Sequence, residues 1–258
     1  MNSTPPILSC RDLTLAVPGR TLCRGVSFDV RAGECWVIVG PNGAGKTTLL
    51  QTLAGLRRPA AGTITLAGAP IMEHAPRARA QHLGFVPQDT IDAFPATALE
   101  VALAGRHPHV PRWHSESAAD LTQAREALKA VGMGEAQMRD VQTLSGGERR
   151  RVALAMLLAQ DPEVMLLDEP TNHLDIAHEV RALDLLASLA REHGRAVVMV
   201  LHDLTLAARF ATHAVLLGCA EVEAGAAGPL LTAQKLSALY GQELVAVPHP
   251  RGTAFLPA

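Results

Sequence analysis

Apolar and polar positions change their period several times along this 258-residue chain. Stretches rich in β-branched or apolar residues open it at Ile7 to Leu15, Leu22 to Val30 and Cys35 to Val39, and a shorter one follows at Thr63 to Leu66. The first part therefore predicts a sheet. Further on, Leu83 to Val86, Val164 to Leu167 and Ala196 to Leu201 are apolar without polar alternation. A half-exposed strand would alternate, so these runs, separated by long helical stretches, predict buried parallel strands of an α/β core. Thr97 to Asp140 instead carries Ala, Leu, Arg and Glu at helical spacing and predicts a helical lobe inserted into that core. The expected organisation is one domain over 1–258. Its core spans about 1–88 and 141–222, with a mixed sheet and an antiparallel N-terminal β portion; the lobe is about 89–140. A C-terminal appendage of about 223–258 is reached through the small-residue stretch Ala224 to Gly228.

Composition narrows the partners. A hydrophobic share of 48% with 19% charged residues is a globular balance, and 3% aromatics leave little to stack on bases. The formal net charge of −2 gives no overall attraction to nucleic acid or to an anionic membrane. No apolar run approaches the roughly 18 residues that span a bilayer, and the start, Met1 to Pro6, has neither a basic nor an apolar leader region. The chain is expected to stay in the cytoplasm and to meet a membrane only through a protein partner. Cys10, Cys23, Cys35 and Cys219 are scattered, with no C-x-x-C pair, and read as reduced packing residues.

Gly40-Pro41-Asn42-Gly43-Ala44-Gly45-Lys46-Thr47 fits G-x-x-x-x-G-K-[ST]. It directly follows the apolar strand Cys35 to Val39 and precedes helix-forming residues from Thr48. Glycines let successive N–H groups turn toward one centre, and the helix N-terminus adds positive dipole. Lys46 can bridge terminal phosphates and the Thr47 hydroxyl can ligate magnesium. The alternative is a plain glycine-rich turn, which the flanking strand and helix disfavour. Val164 to Leu167 runs into Asp168-Glu169, and ligands of open α/β sheets bind at the carboxyl ends of strands. Asp168 is placed to hold magnesium and Glu169 to polarise an attacking water. Leu144-Ser145-Gly146-Gly147-Glu148 opens a helix over Arg149 to Gln160, with Ser145 and Glu148 spaced as a capping box. Its paired glycines also leave room for a second phosphate at the bare N–H groups, and the two readings are compatible.

Leu144 to Glu148 resembles the signature of ABC ATPases, and the phosphate loop and Asp168-Glu169 stand in that family's order. The resemblance covers nearly the whole chain and implies a phosphate-loop ATPase fold using ATP and magnesium. It implies Gln88 as the Q-loop residue touching magnesium and attacking water, Asn172 to Asp175 as the D-loop, and His202 as the switch histidine. A lone histidine at a strand end is usually a satisfied polar residue, so His202 takes its role only from this ordered set. The resemblance also implies a homodimer, in which Ser145, Gly146, Gly147 and Glu148 of one copy close over ATP held by the other. Two integral-membrane permease subunits and, indirectly, a substrate-binding protein are the further partners it implies, with the chain peripheral on the cytoplasmic face of the inner membrane. The family usually stacks adenine on an aromatic residue after the first strand, and Val17 occupies that position here; Phe28 reads as core.

Val101 to His109, with Gly105-Arg106 and Pro108-His109, resembles a segment of metal-chelate importer ATPases, and so does the tail Leu230 to Gly241. Haem is the preferred cargo, followed by ferric siderophore and cobalamin, with no direct cargo contact expected. His107, His109 and His114 lack a carboxylate or cysteine to complete a metal set and read as a surface loop. A soluble ABC ATPase acting on ribosomes or DNA would carry a second cassette or a long coiled coil, neither of which is present in this sequence. An exporter ATPase shares the chemistry and is set aside only on Gly105 to His109 and the tail. A non-enzymatic nucleotide module would lack a carboxylate at Glu169.

Overall fold

The computed structural model describes residues 5–88, 95–111, 113–218, 222–250 and 252–258. Cys219 and parts of the expected lobe, at 89–94 and 112, lie outside the described residues.

The chain opens with β1 (Leu8–Val17) and β2 (Arg20–Val30), an antiparallel hairpin, followed by β3 (Cys35–Val39), α1 (Lys46–Leu53), β4 (Ala61–Leu66) and β5 (Ala69–Pro70). β1, β2, β4 and β5 form a four-stranded antiparallel sheet in the order β2-β1-β4-β5. Next come α2 (Pro76–His82), β6 (Leu83–Val86), α3 (Ala98–Ala104), α4 (Ala118–Ala130) and α5 (Gly146–Gln160). The chain then alternates through β7 (Val164–Asp168), α6 (Ile176–His193), β8 (Ala196–Val200), α7 (Leu204–Phe210), β9 (His213–Leu216) and β10 (Glu223–Ala226). It ends with α8 (Ala227–Leu230), α9 (Ala233–Tyr240) and the hairpin β11 (Leu244–His249) and β12 (Gly252–Pro257).

The second sheet has the order β10-β9-β3-β8-β7-β6. Its strands are parallel except β10, which runs antiparallel to β9. All residues of β3, β7 and β8 are buried, as their unbroken apolar runs require of strands covered on both faces. Trp36, Ile38 and Val198 face α1 and the antiparallel sheet, against Leu13, Val26, Leu49 and Leu53. Val37, Val39 and Met199 face the other way, against Leu183, Leu186, Leu236 and Phe255. A third cluster joins α3, α4 and α5 through small residues, Ala98, Ala102, Ala124 and Ala155 among them, which allow close helix approach.

The mixed α/β fold read from the sequence is therefore present. Ala224 to Gly228 is not a connector: Glu223 to Ala226 pair with His213 to Leu216 as an edge strand, and α8 follows directly. Phe28 is core, as expected, stacked on Trp36 at 5.0 Å between centroids. Cys10 and Cys35 are buried, and burial pushes each thiol up to about 12, so both stay protonated packing groups.

Candidate functional site

Three chain segments meet at the carboxyl edge of the parallel strands. β3 delivers the loop 40–45, β6 leads to Gln88, and β7 ends at Asp168 with Glu169 next. They border a cleft of about 760 Å³ lined by Val17, Arg20, Leu22, Asn42, Gly43, Gly45, Lys46, Thr47, Thr48, Gln88, Glu169 and His202. Gly40, Pro41 and Ala44 belong to the same loop but are not among the residues lining the cleft. A Cβ on Gly40 would stand 1.9 Å from the Leu217 carbonyl oxygen, so only glycine lets the loop leave the sheet this close to the neighbouring strand. The N–H of Gly40 donates to the phenol oxygen of Tyr240 at 3.0 Å, which ties the C-terminal helix α9 to the first residue of the loop. Tyr240→Phe removes this acceptor. It should cost about 1–3 kcal/mol, read as a lower melting temperature, and weaken ATP binding; unchanged values for both would show the bond to be idle.

Lys46 opens α1 and is buried. Its Nζ donates to the Gly40 carbonyl at 2.7 Å and the Pro41 carbonyl at 3.0 Å, folded back over the loop. Burial lowers its pKa, while the carboxylates of Glu169 and Asp168 raise it.

Asp168 is fully buried, and neither carboxylate oxygen has a hydrogen-bond partner at normal geometry. Burial raises its pKa, opposed chiefly by the nearby Thr47 hydroxyl, then by the charges of Arg150 and Lys46. Two orphaned carboxylate oxygens beside a hydroxyl are hard oxygen donors, and they fit magnesium. In metal-free buffer the same group is a burden. A folded-state pKa above the unfolded value of 3.8 means that the folded form holds the proton more tightly, so stability falls as pH rises through the raised value. Asp168→Asn should therefore raise the metal-free melting temperature at pH 7, and the gain should vanish below about pH 4. A lower melting temperature in chelator would contradict this.

Glu169 has φ 49°, a left-handed conformation rare for a glutamate and typical of functional positions. From there its Oε1 lies 2.6 Å from His202 Nε2, and its Oε2 accepts from Asn172 Nδ2 at 3.3 Å. Glu169 thus lines the cleft in contact with His202, and Gln88 is another of its lining residues.

The signature lies elsewhere. α5 begins at Gly146, three residues earlier than its helical pattern suggested, with Ser145 as N-cap. The Ser145 N–H donates to Glu148 Oε2 at 2.8 Å, and the Glu148 N–H donates to Ser145 Oγ at 3.2 Å, the reciprocal pair that the spacing implied. Ser145, Gly146, Gly147 and Glu148 border a second cleft together with His173, Leu174, Asp175 and His178. A Cβ on Gly147 would stand 2.8 Å from the His173 carbonyl oxygen, so the glycine admits the backbone at His173. Asp175 caps α6 by accepting from the His178 N–H at 2.8 Å. The two clefts share no lining residue.

Val17 reaches the first cleft, accompanied by Arg20 and Leu22 across the β1–β2 turn, two residues that sequence reasoning did not single out. Their only signal was the hairpin spacing that brings β2 back beside Val17. His109 bonds the Gln160 carbonyl at 2.9 Å, and Arg106 reaches Asp120 and the Ala159 carbonyl at 2.9 and 2.8 Å. Arg77 and Gln81 of α2 donate to the Pro108 carbonyl at 3.0 and 2.8 Å. The segment at Gly105 to His109 thus fastens α2, α4 and the end of α5 to one another.

A phosphate loop, a strand-end carboxylate pair and a separate serine-capped helix that opens on paired glycines define an ATP-binding cassette, and the chain belongs to the ABC transporter family, whose model matches residues 23–172. The chain is similar to the hemin import ATP-binding protein HmuV of Myxococcus xanthus, 43% identical over 240 residues, covering 90% of this chain and 88% of that protein. It is also similar to the ferric enterobactin transport ATP-binding protein FepC of Escherichia coli, 38% identical over 242 residues, covering 92% and 88%. Among solved structures, an inward-facing metal-chelate type ABC transporter superposes with a TM-score of 0.85 at 28% identity, covering 98% of this chain and 97% of that one. An ATP-binding cassette solved as a dimer after hydrolysis, with ADP and Pi, superposes with a TM-score of 0.75 at 28% identity, covering 85% and 98%.

Proposed function

We propose that this chain hydrolyses ATP to power import of haem or a related metal chelate, as a homodimer seated on two permease subunits. The observation that carries the enzymatic part is the convergence of Lys46, Thr47, Gln88, Glu169 and His202 on one cleft. In this reading the loop N–H groups and Lys46 bind the triphosphate, with Val17, Arg20 and Leu22 at its base end. Glu169 accepts the proton of the attacking water, and His202, 2.6 Å away, steadies the carboxylate. Thr47, Gln88 and Asp168 would hold magnesium. Bound there, the ion supplies charge neutralisation at the terminal phosphates.

Ser145 and Gly147 line a cleft that shares no residue with the phosphate-loop cleft, which supports a dimer in which they meet the partner's nucleotide. The dimeric relative with ADP and Pi supports the same assembly. Around this site the chain divides into a core of about 1–88 and 141–222, a helical lobe of about 89–140 that receives the permease, and an appendage of about 223–258. Among the described residues no helix is long and apolar enough to cross a membrane, which fits a peripheral subunit on the cytoplasmic face of the inner membrane. A substrate-binding protein would act on it only through the permease, and neither nucleic acid nor cargo touches it.

Haem is favoured as cargo by the 43% identity to a hemin import protein, and ferric siderophore by the 38% identity to a ferric enterobactin protein. Cobalamin comes after them. The test is ATPase activity of the chain co-purified with its permease in lipid, with haem-loaded and empty binding proteins. Stimulation only by the loaded protein establishes haem import. Stimulation by a siderophore or cobalamin carrier instead changes the cargo, and indifference to every binding protein points to export.

A further inference from the structure

One side chain of α5 bonds the backbone of two residues that line the first cleft, Gln88 and Glu169, and belongs to none of the motifs. Arg150 lies on α5, five positions after Ser145 and between Arg149 and Arg151, yet it is only 3% exposed. Its Nε donates to the Pro170 carbonyl at 3.2 Å. Its Nη1 donates to the carbonyls of Pro87 at 2.5 Å and Gln88 at 3.3 Å, and its Nη2 to those of Asp168 and, at 2.7 Å, Glu169.

These five carbonyls come from two segments. Pro87 and Gln88 follow β6, and Asp168 to Pro170 close β7, where the ladder between the two parallel strands has ended. Past the end of a ladder, carbonyls in a buried setting need other donors. A guanidinium offers five N–H groups in one rigid plane and can serve both segments at once, which an ammonium cannot. Glu169 sits in the left-handed region between two of the bonded carbonyls. Such a conformation persists only where its surroundings over-determine it.

We propose that Arg150 is a positioning residue for ATP hydrolysis, fixing Gln88 and Glu169 relative to each other and tying both to the helix that begins at the signature. The inference rests on the ATPase reading above. α5 is a continuous helix of 15 residues with Ser145 at its cap and Arg150 in its second turn. When the signature closes on a partner's nucleotide, any shift of α5 is carried by the guanidinium to both strand exits. Arg150 touches neither substrate nor reacting atoms; it acts through Gln88 and Glu169.

The experiment uses the full chain with Arg150→Lys and Arg150→Gln, each alone and combined with Glu169→Gln. Equilibrium ATP binding is measured in the Glu169→Gln background, where turnover does not interfere. Misplaced reacting groups should lower kcat on the order of 100-fold, while ATP affinity changes by less than about threefold. Adding Arg150→Lys to Glu169→Gln should lower the residual rate no further, because the two residues act as one unit. A kcat within about twofold of wild type, or rate losses that multiply, overturns the proposal. So does a fall of kcat, ATP affinity and melting temperature together, or loss of folding in both variants, since either assigns Arg150 a purely structural role. A wild-type chain without ATPase activity overturns the ATPase reading and this inference with it. Normal wild-type and Glu169→Gln behaviour beside an unaffected Arg150→Lys overturns this inference alone.

Discussion

Glu169→Gln should lower ATP turnover by about 10²–10⁴-fold while leaving ATP bound. The amide keeps the size and the two heavy atoms of the carboxylate's fork, so packing at the end of β7 should survive. It cannot accept the proton of water, and at least one of its terminal atoms becomes a donor. Asn172 Nδ2 and His202 Nε2 now contact Oε2 and Oε1 at 3.3 and 2.6 Å, and the amide can satisfy only one of them as acceptor. The rest of the cleft, from Asn42 to Thr48, is untouched, so equilibrium ATP affinity should stay within about threefold. With hydrolysis blocked, the ATP-bound homodimer should accumulate and elute at twice the monomer mass. Retained turnover would remove Glu169 as the general base.

Lys46→Met is the variant expected to weaken binding itself. Losing a buried ammonium from a phosphate site costs about 2–5 kcal/mol, a drop in affinity from tens-fold to a few thousand-fold. Without nucleotide, the balance differs. The Gly40 and Pro41 carbonyls lose donors at 2.7 and 3.0 Å, while the energetic penalty of a desolvated cation disappears and Met fills similar volume. These terms oppose each other, so the nucleotide-free melting temperature should move little. ATP should then produce a much smaller thermal upshift than in wild type, since ligand stabilisation grows with the ratio of concentration to Kd. A variant still stabilised by ATP as strongly as wild type would take Lys46 out of the phosphate site.

How much of this was legible depended on range. β3, the loop 40–47 and α1 lie within some twenty consecutive residues, and strand, glycines and helix each carry a local signal. The capping box at Ser145 and Glu148 likewise needs only a spacing of three residues, and both of its hydrogen bonds formed. Arg150 had no such signal. Three consecutive arginines on a helix look like a solvated face, and its burial follows only from the approach of carbonyls 62 and 63 residues before it. Tyr240 was visible as part of a tail pattern, but its bond to Gly40 spans 200 residues. β10 escaped because Glu-Ala-Gly-Ala has low strand propensity and pairs only as the antiparallel partner of β9.

The sequence by itself determined the chemistry available: a phosphate-binding loop, two carboxylates at a strand end, a capped helix with paired glycines, and the order in which they occur. It could do so because each motif is a matter of backbone freedom, side-chain type and short spacing. Only the tertiary structure decided which of these groups meet. Packing of β3, β6 and β7 side by side brought Lys46, Gln88 and Glu169 to one cleft, while the signature and Asp175 were placed on another. The physical reason is that strand order and helix docking are set by burial of apolar faces over long loops, a collective outcome that no single short stretch of chain encodes.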